Sequence, residues 1–293
     1  MITKKILEEE IENLLGLNDM VRAYEEIAAG RIKQSRDSVL LNRTYMAEIN
    51  EIFEEVIFSY KKQIEVLMKE KKIKNPQEFS FINKNRRTLF VLISANTGLY
   101  GSIVKRTFDL FVQNSKNKDA DLAIIGKLGA SMWKEAKINE KYYYFDFPDQ
   151  SVNEEVLKKI LNFLLSYEKV IVFYGRFQNL VKQDATFSDI SGNSHLENAG
   201  NVPIKESVKF FFEPSLEKIL EFFEEQIFAS IFEQTIRESQ LAKIASRLTT
   251  LDSASENIYK ELTSVTSQKN RNVHQLQNKK QLQTFSSRNL WSR

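Results

Sequence analysis

One short segment of the chain, with two glycines, has the position of a phosphate-binding turn. Asn96-Thr-Gly98-Leu-Tyr-Gly101 follows an apolar run, which is where a nucleotide-binding fold places its phosphate loop. The glycine pattern G-x-G-x-x-G and a Walker lysine are both missing from it. Gly98 and Gly101 are also explained by a tight turn and by close packing of a helix against a strand. We therefore interpret this segment as a structural turn.

Acidic pairs and histidines are the other candidates for chemistry. Glu8-Glu9-Glu10, Glu54-Glu55 and Glu224-Glu225 lie on segments of helical periodicity with Lys or Arg nearby, which is typical of solvated helix faces. His195 and His274 are the only histidines, and the chain has no cysteine. This composition excludes thiol catalysis, disulfide scaffolds and cysteine metal sites. We expect no catalytic, cofactor-binding or metal-ligating residues in this chain.

The charge and hydropathy of the sequence indicate which kinds of partner the chain can bind and whether it can cross a membrane. The 293 residues include 42 basic and 39 acidic ones, and a net charge of +3 is too small to demand nucleic acid. After Glu261 every charged residue is basic, while aromatic residues are sparse, which favours an acidic protein partner at least as much as a nucleic acid. No run approaches the roughly 20 apolar residues of a membrane span, and the first residues do not form a secretory signal. We expect a cytoplasmic chain without a direct membrane span.

The two ends of the chain are predicted to be long helices. Residues 3–72 contain no proline and repeat apolar positions at helical spacing. These positions are Leu7, Ile11, Leu14, Met20, Tyr24 and Ile27, then Ile49, Ile52, Val56, Tyr60, Ile64 and Leu67. After Glu213-Pro214-Ser215, where Ser215 is a candidate N-cap, a second proline-free run continues to the end. Its apolar seam alternates by three and four, as in a coiled coil: Leu241, Ile244, Leu248, Leu251, Ser255, Ile258, Leu262 and Val265.

The residues between these helices have the pattern of a small α/β domain. Short apolar runs predict buried strands at Thr88–Ile93, Asp121–Ile125 and Lys169–Tyr174, and a last strand at Val208–Phe212. Helices are predicted at Ile103–Asn114, after Gly129 and over Val152–Tyr167, and an exposed loop at Phe187–Asn201. Alternation of strand and helix indicates a parallel sheet covered by helices.

The predicted fold class is therefore α/β. A long antiparallel coiled coil of N- and C-terminal helices, residues 1–75 and 213–293, carries an inserted small parallel-sheet domain of Rossmann-like type at residues 76–212.

Five segments, in sequence order, match the motifs of one known family. They are Ile11–Lys33 (family I-x-S-x-x-x-x-x-K-I-T-x-A-M-x-M-V-A-A-S-K-L-R), Ser94–Gly101 (S-D-R-G-L-C-G-G), Asp121–Gly129 (D-L-A-x-I-G-x-K-G), Phe210–Ser215 (Y-x-x-E-P-S) and Ala242–Ala254 (A-R-M-x-A-M-x-x-A-T-D-N-A). By these motifs the chain resembles the γ subunit of rotary F-type ATP synthases. The polar, basic end after Arg271 departs from the small, apolar tip of that family, which indicates a divergent member.

The resemblance implies a central rotor shaft that couples ATP hydrolysis or synthesis in partner β subunits to rotation, in a synthase or in a specialised F1-like motor. One copy would stand inside a ring of three α and three β subunits. The β subunits would hold ATP and Mg²⁺, and this chain would be non-catalytic and without a cofactor of its own. Its globular end would meet an ε-like subunit or the membrane rotor ring, peripheral to the inner face of the cell membrane. The implied contacts with the ring are Arg22, Arg31, Lys33, Lys243, Arg247, Arg271 and Gln275.

Two other classes of function stay open at this point. A coiled-coil scaffold or adaptor without a rotary role would use the Leu241–Val265 seam to form a homodimer. A small-molecule enzyme would use the α/β insert, and it ranks last because the sequence offers no catalytic set.

Overall fold

The computed structural model describes residues 4–60, 82, 84–115, 120–149, 153–191 and 215–290. The chain divides into two compact units. The coil unit contains the described parts of Met1–Gly30 and Arg247–Arg293, and the sheet unit those of Arg31–Ser246. Two long helices, α1 (Lys4–Ser59) and the C-terminal helix α5 (Leu216–Leu290), contribute residues to both units. The predicted domain boundaries at residues 75/76 and 212/213 lie outside the described residues.

In the coil unit, α1 and α5 form an antiparallel pair. The less exposed positions of α1 alternate by four and three residues: Leu7, Ile11, Leu14, Asn18, Val21, Glu25 and Ala28. This spacing has the 3.5-residue period of a coiled-coil seam. On α5, Leu251 and Ile258 are buried against Val21. Two polar contacts fix the direction: Lys269 Nζ lies 3.1 Å from Glu8 Oε1, and Ser255 Oγ donates to Asn18 Oδ1 at 3.4 Å.

The predicted α5 seam is confirmed, but the predicted face of α1 is wrong over part of its length. Met20, Tyr24 and Ile27 were expected in the seam, and their side chains are 57%, 42% and 50% exposed. The helix carries two apolar stripes of the same period, and only the one through Val21 faces α5. Periodicity finds an apolar stripe but does not say which of two stripes is covered.

The sheet unit contains a five-stranded sheet in the order β3-β2-β1-β4-β5. The strands are β1 (Asn85–Ile93), β2 (Asp121–Ile125), β3 (Tyr143–Phe145), β4 (Tyr167–Phe177) and β5 (Gln183–Asp189). The first four are parallel, and β5 pairs with β4 in the antiparallel direction. The helices between them are α2 (Ile103–Ser115), α3 (Lys127–Glu135) and α4 (Glu154–Leu165).

Both faces of the sheet are buried, as expected for parallel strands. Leu89 and Val91 of β1 pack on one face with Ile160 of α4, and with Phe228 and Phe232 of α5. On the other face, Phe90 and Leu92 pack with Phe111 of α2 and Trp133 of α3. The helix α5 therefore belongs to the hydrophobic core of the sheet unit.

The first half of α5 also packs against the end of α1 within the sheet unit. Phe53 and Val56 of α1 form a separate core cluster with Leu220 and Ile227 of α5. The predicted N-cap of α5 is confirmed, because the Lys218 amide donates to Ser215 Oγ at 3.4 Å.

The predicted strands at Thr88–Ile93, Asp121–Ile125 and Lys169–Tyr174 are confirmed, with the first and last longer than expected. The helix placed after Gly129 begins at Lys127. The loop predicted over Phe187–Asn201 is wrong for Phe187–Asp189, which end β5 because Phe187 pairs with Phe173. The rest of that loop beyond Ser191, and the strand predicted at Val208–Phe212, lie outside the described residues.

Candidate partner interface

The helix α1 carries an exposed apolar stripe in the coil unit. Leu17, Met20, Tyr24 and Ile27 alternate by three and four residues, so they share one face of the helix. All four are exposed. Apolar side chains aligned over three turns of a water-exposed helix indicate a surface that contacts another molecule.

The predicted contact residues on α1 surround this stripe or follow it. Arg22 is exposed in the coil unit, between Met20 and Tyr24. Lys33 is exposed and Arg31 half-buried, both in the sheet unit. Within the coil unit, a guanidinium beside apolar side chains, as at Arg22, suits a partner that offers both apolar and acidic groups. The contact role of these three residues stays a prediction.

The predicted contacts on the second half of α5 are also on the surface, to different degrees. Arg247 is half-buried, whereas Arg271 and Gln275 are exposed. From His274 to Ser286 every side chain of the helix is exposed. Arg271 and Gln275 therefore mark the point where α5 loses the cover of its neighbours.

Lys243 is the predicted contact that the structure places elsewhere. Its residue is only 5% exposed, inside the sheet unit. Its ammonium donates to the carbonyl oxygen of Ser94 at 2.9 Å and lies 3.3 Å from Asp149 Oδ1. It also stands 5.8 Å from the centre of the Tyr100 ring, within range of a cation–π contact. Lys243 thus binds within its own chain, and its burial does not fit the exposed contact expected from the sequence.

The partner of Lys243 fills the turn that resembles a phosphate loop. The amides of Asn96 and Thr97 donate to the Asp149 carboxylate at 2.8–3.0 Å, and Thr97 Oγ1 donates to it at 3.0 Å. These are the donors that such a turn offers to a phosphate oxygen. Here a carboxylate of the same chain occupies them, and the ammonium of Lys243 balances its charge.

Neighbouring residues hold this turn in place. Asn96 Nδ2 donates to Asp146 Oδ1 at 2.6 Å, and Asn96 Oδ1 accepts from the Lys127 amide at 2.9 Å. Gly126 has φ near 103°, and a Cβ there would lie 2.8 Å from the backbone nitrogen of Ala95. The approach of β2 to the turn therefore requires a glycine at this position.

Burial controls the electrostatics of Lys243. Removal of its ammonium from water lowers its pKa below the ordinary value, and the nearby Asp149 carboxylate partly opposes that shift. Asp149 was missed by sequence reasoning because it is 53 residues from Asn96 and 94 residues from Lys243. No local pattern in the sequence links these three residues.

The chain is similar along most of its length to known proteins of one kind. The family model described as ATP synthase matches residues 3–274. The ATP synthase gamma chain of Mycoplasma capricolum is 26% identical over 257 residues, 86% of this chain and 85% of that relative. The ATP synthase gamma chain of Chloroherpeton thalassium is 24% identical over 299 residues, 92% of each chain.

Solved structures share the fold. A chain from the central stalk and c-ring of the Tetrahymena thermophila mitochondrial ATP synthase superposes with a TM-score of 0.54 at 20% identity, over 80% of this chain and 99% of that one. A chain from the OSCP/F1/c-ring structure of the Euglena gracilis mitochondrial ATP synthase gives 0.53 at 12% identity, over 88% and 94%. Among the described residues, no helix is both long enough and apolar enough to cross a bilayer.

Proposed function

This chain belongs to the ATP synthase gamma chain family, and we propose that it is the central rotor shaft of an F1-type rotary ATPase. The observation that carries the proposal is the match to the family over residues 3–274, together with the antiparallel pairing of α1 and α5. The shaft couples ATP hydrolysis or synthesis in partner subunits to its own rotation. The synthase and the specialised F1-like motor both use this arrangement.

The coupling rests on differential contacts between an asymmetric rod and a symmetric ring. The coil unit presents an apolar stripe through Met20 on one face of α1 and basic groups such as Arg22 and Arg271 elsewhere. Three chemically identical β subunits around it therefore meet three different surfaces. Each surface favours a different conformation of the subunit that it touches, and hydrolysis in one subunit changes which contact is most stable. The asymmetry also requires one copy of the chain per hexamer.

ATP and Mg²⁺ are bound by the β subunits in this proposal, and the chain itself is non-catalytic and without a cofactor. The occupancy of the turn at Asn96 supports this assignment, because Asp149 takes the amides that a phosphate would need. The sheet unit meets an ε-like subunit or the membrane rotor ring, at the cytoplasmic, inner face of the cell membrane. The solved complexes of Tetrahymena thermophila and Euglena gracilis contain a c-ring beside a central stalk or F1, and this supports a rotor partner for the sheet unit.

We assign contacts with the α₃β₃ ring to the surface residues of the predicted set. These are Arg22, Arg31, Lys33, Arg247, Arg271 and Gln275. Lys243 acts within the chain and is left out of this surface.

The alternative function, a scaffold that dimerises through the apolar seam of α5, requires that seam to be uncovered in the single chain. The seam of α5 is covered within the chain by α1, since Leu251 and Ile258 pack on Val21. A homodimer through the same positions would have to displace α1, and this favours the shaft over the scaffold.

Purification of the tagged chain from its source cells tests the proposal. We expect native mass spectrometry to find one copy of the chain with three plus three larger subunits, and ATPase activity that the chain alone lacks. Additional subunits in that particle would identify what the sheet unit engages. Recovery as a lone homodimer, or with unrelated proteins, would reject the shaft and support the scaffold.

Charge reversal then tests the contact surface. Arg31→Glu with Lys33→Glu should lower the turnover of the assembled complex while the isolated chain stays folded, because both side chains reach the helix surface. Lys158→Glu with Lys159→Glu, two exposed residues of α4, makes the same charge change on a helix outside the predicted contact set and is the matched control. Equal turnover of both variants would contradict the assignment of Arg31 and Lys33.

A further inference from the structure

The apolar seam between α1 and α5 fits more than one axial register of the two helices. In the coil unit, Leu14 and Val21 of α1 pack with Leu251 and Ile258 of α5, at positions that repeat every 3.5 residues. A displacement of one helix by seven residues, about 10.5 Å, brings seam positions opposite seam positions again. Apolar burial alone therefore distinguishes these registers poorly.

A polar pair interrupts the seam of the coil unit. Asn18 of α1 and Ser255 of α5 both occupy seam positions, and Ser255 Oγ donates to Asn18 Oδ1 at 3.4 Å. A displacement by seven residues would place Asn18 opposite Leu262 in one direction and opposite Leu248 in the other. The half-buried amide of Asn18 would then lose its partner on α5, which costs free energy.

The sheet unit contains a second asparagine of α1 that bonds to a serine residue of α5. Asn42 and Ser230 are both buried, and Asn42 Nδ2 donates to the backbone carbonyl oxygen of Ser230 at 3.3 Å. The small side chain of Ser230 leaves room for an amide to reach the helix backbone. The residues seven positions away are Phe223 and Arg237, whose longer side chains would fill this space.

We propose that Asn18 and Asn42 are positioning residues that fix the axial register of α1 on α5, one in each unit. A polar residue at a seam position specifies the register of a coiled coil and lowers the stability of the pairing. The register decides which exposed residues of the two helices lie level with each other, so it fixes the surface that the pair offers. This inference concerns the chain alone, and only its consequence for turnover rests on the proposed function.

The absence of cysteine from the sequence allows the register to be measured between two nitroxide labels by double electron–electron resonance. Glu26→Cys and Thr266→Cys introduce the labels at exposed positions of the coil unit. By the register of Asn18 and Ser255, residue 247 lies level with Glu26, and Thr266 lies nineteen residues beyond it, about 29 Å along the helix axis. A displacement of α1 by seven residues changes this axial separation to about 18 Å or about 39 Å.

Removal of both amides tests the proposal in the full labelled chain. Asn18→Val with Asn42→Val should add a second population whose distance differs by about 10 Å, without lowering the free energy of unfolding, because valine suits the seam. Asn13→Val with Asn257→Val changes two exposed asparagines and should keep the single distance of the wild type. A single unshifted distance in the first variant, with a lower free energy of unfolding, is the result expected of an ordinary hydrogen bond and would overturn the proposal.

A second variant moves both asparagines by seven residues along α1. It combines the changes Asn18→Val, Glu25→Asn, Asn42→Ile and Ile49→Asn. The new asparagines come opposite Ser255 and Ser230 only when α1 is displaced by seven residues, so the label distance should shorten by about 10 Å. This variant decides the question where the first one does not fold, and circular dichroism checks the helices of both. The wild-type distance in the folded chain would overturn the proposal.

The assembled complex shows what the register does for rotation. Turnover with the Asn18→Val, Asn42→Val chain should fall below that with the Asn13→Val, Asn257→Val chain, because the ring then meets a mixture of surfaces. Equal turnover, in a chain whose register has changed, would overturn the link to rotation. If no ring subunits accompany the unmodified chain, the proposed function fails, and the label distances still decide the register.

Discussion

Replacement of Lys243 by methionine should destabilise the sheet unit by about 3 kcal/mol. Removal of one partner from a buried ion pair costs about 3–5 kcal/mol, because the other charge is left uncompensated. Asp149 keeps three donors in this variant, from the amides of Asn96 and Thr97 and from Thr97 Oγ1, which places the loss at the lower end of that range. Methionine preserves most of the packing of the lysine stem. The Ser94 carbonyl loses the donor that Lys243 provides.

The assay is urea denaturation of the full chain, followed by the fluorescence of Trp133. That residue is 1% exposed in the core of the sheet unit. The chain has two tryptophans, so Trp291→Phe makes Trp133 the single reporter. The midpoint should fall without a change in the slope, because the surface exposed on unfolding is nearly unchanged.

A double-mutant cycle with Asp149→Ala isolates the interaction. The two single losses should exceed the loss of the double variant by about 1–3 kcal/mol, as expected for residues in direct contact. Lys243→Arg, which keeps the charge, should lose less than Lys243→Met. A loss below about 1 kcal/mol for Lys243→Met, or additive losses in the cycle, would refute the role assigned to this pair.

The pH dependence of the free energy of unfolding is a second, independent test of the burial of Lys243. Burial lowers the pKa of Lys243 in the folded chain, so above that lowered pKa the unfolded chain binds more protons than the folded one. The free energy of unfolding of the wild type should therefore rise with pH, up to the ordinary lysine pKa near 10.5, relative to that of Lys243→Met. A constant difference between the two proteins across this window would contradict the assignment.

Three further predictions use the same denaturation assay. Gly126→Ala should lower the free energy of unfolding by at least about 2 kcal/mol, because φ is near 103° there and the added Cβ would meet the backbone of Ala95. Gly30→Ala lies in a helix with open space around it and should raise that free energy by about 1 kcal/mol. Changes of the same sign in the two variants would contradict this account. Burial raises the pKa of Tyr174 to about 12, so the free energy of unfolding should fall by up to about 1.4 kcal/mol per pH unit above pH 10, a slope that Tyr174→Phe should remove. Lys84→Met breaks a pair with Glu224 and should cost about 1–3 kcal/mol, additive with Lys243→Met because residues 224 and 243 lie about 29 Å apart along α5.

The elements that the sequence predicts well are those with a strong local pattern. The seam of α5 and the central strands β1, β2 and β4 are examples, since period and apolar runs are properties of neighbouring residues. Two edge strands were missed: β3 has three residues, and β5 (Gln183–Asp189) is largely polar. An edge strand is defined by its pairing partner, which no local pattern contains.

The candidate site shows the same limit. Basic residues on a helix predict solvent exposure, and this holds for Arg22, Lys33 and Arg271. It fails for Lys243, because the carboxylate that makes its burial tolerable comes from Asp149, 94 residues away in the sequence. A buried ion pair cannot be inferred from either of its members alone.

The position of Lys243 explains how α5 joins the sheet unit. The helix α5 contacts the chain near both ends of β1. Lys84 precedes the strand, and its Nζ lies 2.8 Å from Glu224 Oε1 of α5. Ser94 follows the strand, and its carbonyl oxygen accepts from the ammonium of Lys243 of α5. From residue 224 to 243 the helix rises about 29 Å, and from 84 to 94 the strand rises about 33 Å. Residues 224–243 of the helix therefore lie along the central part of the sheet, with a contact to the sheet at each end of this segment.

Between these two ion pairs, α5 contributes Phe228, Phe232 and Ile236 to the core of the sheet. A rotation of α5 about its axis relative to the sheet would expose these three side chains and break both pairs at once. Within the sheet unit, the helix and the sheet are thus expected to turn together. In a rotor shaft this is the property that carries torque from the coiled coil to whatever the sheet unit engages.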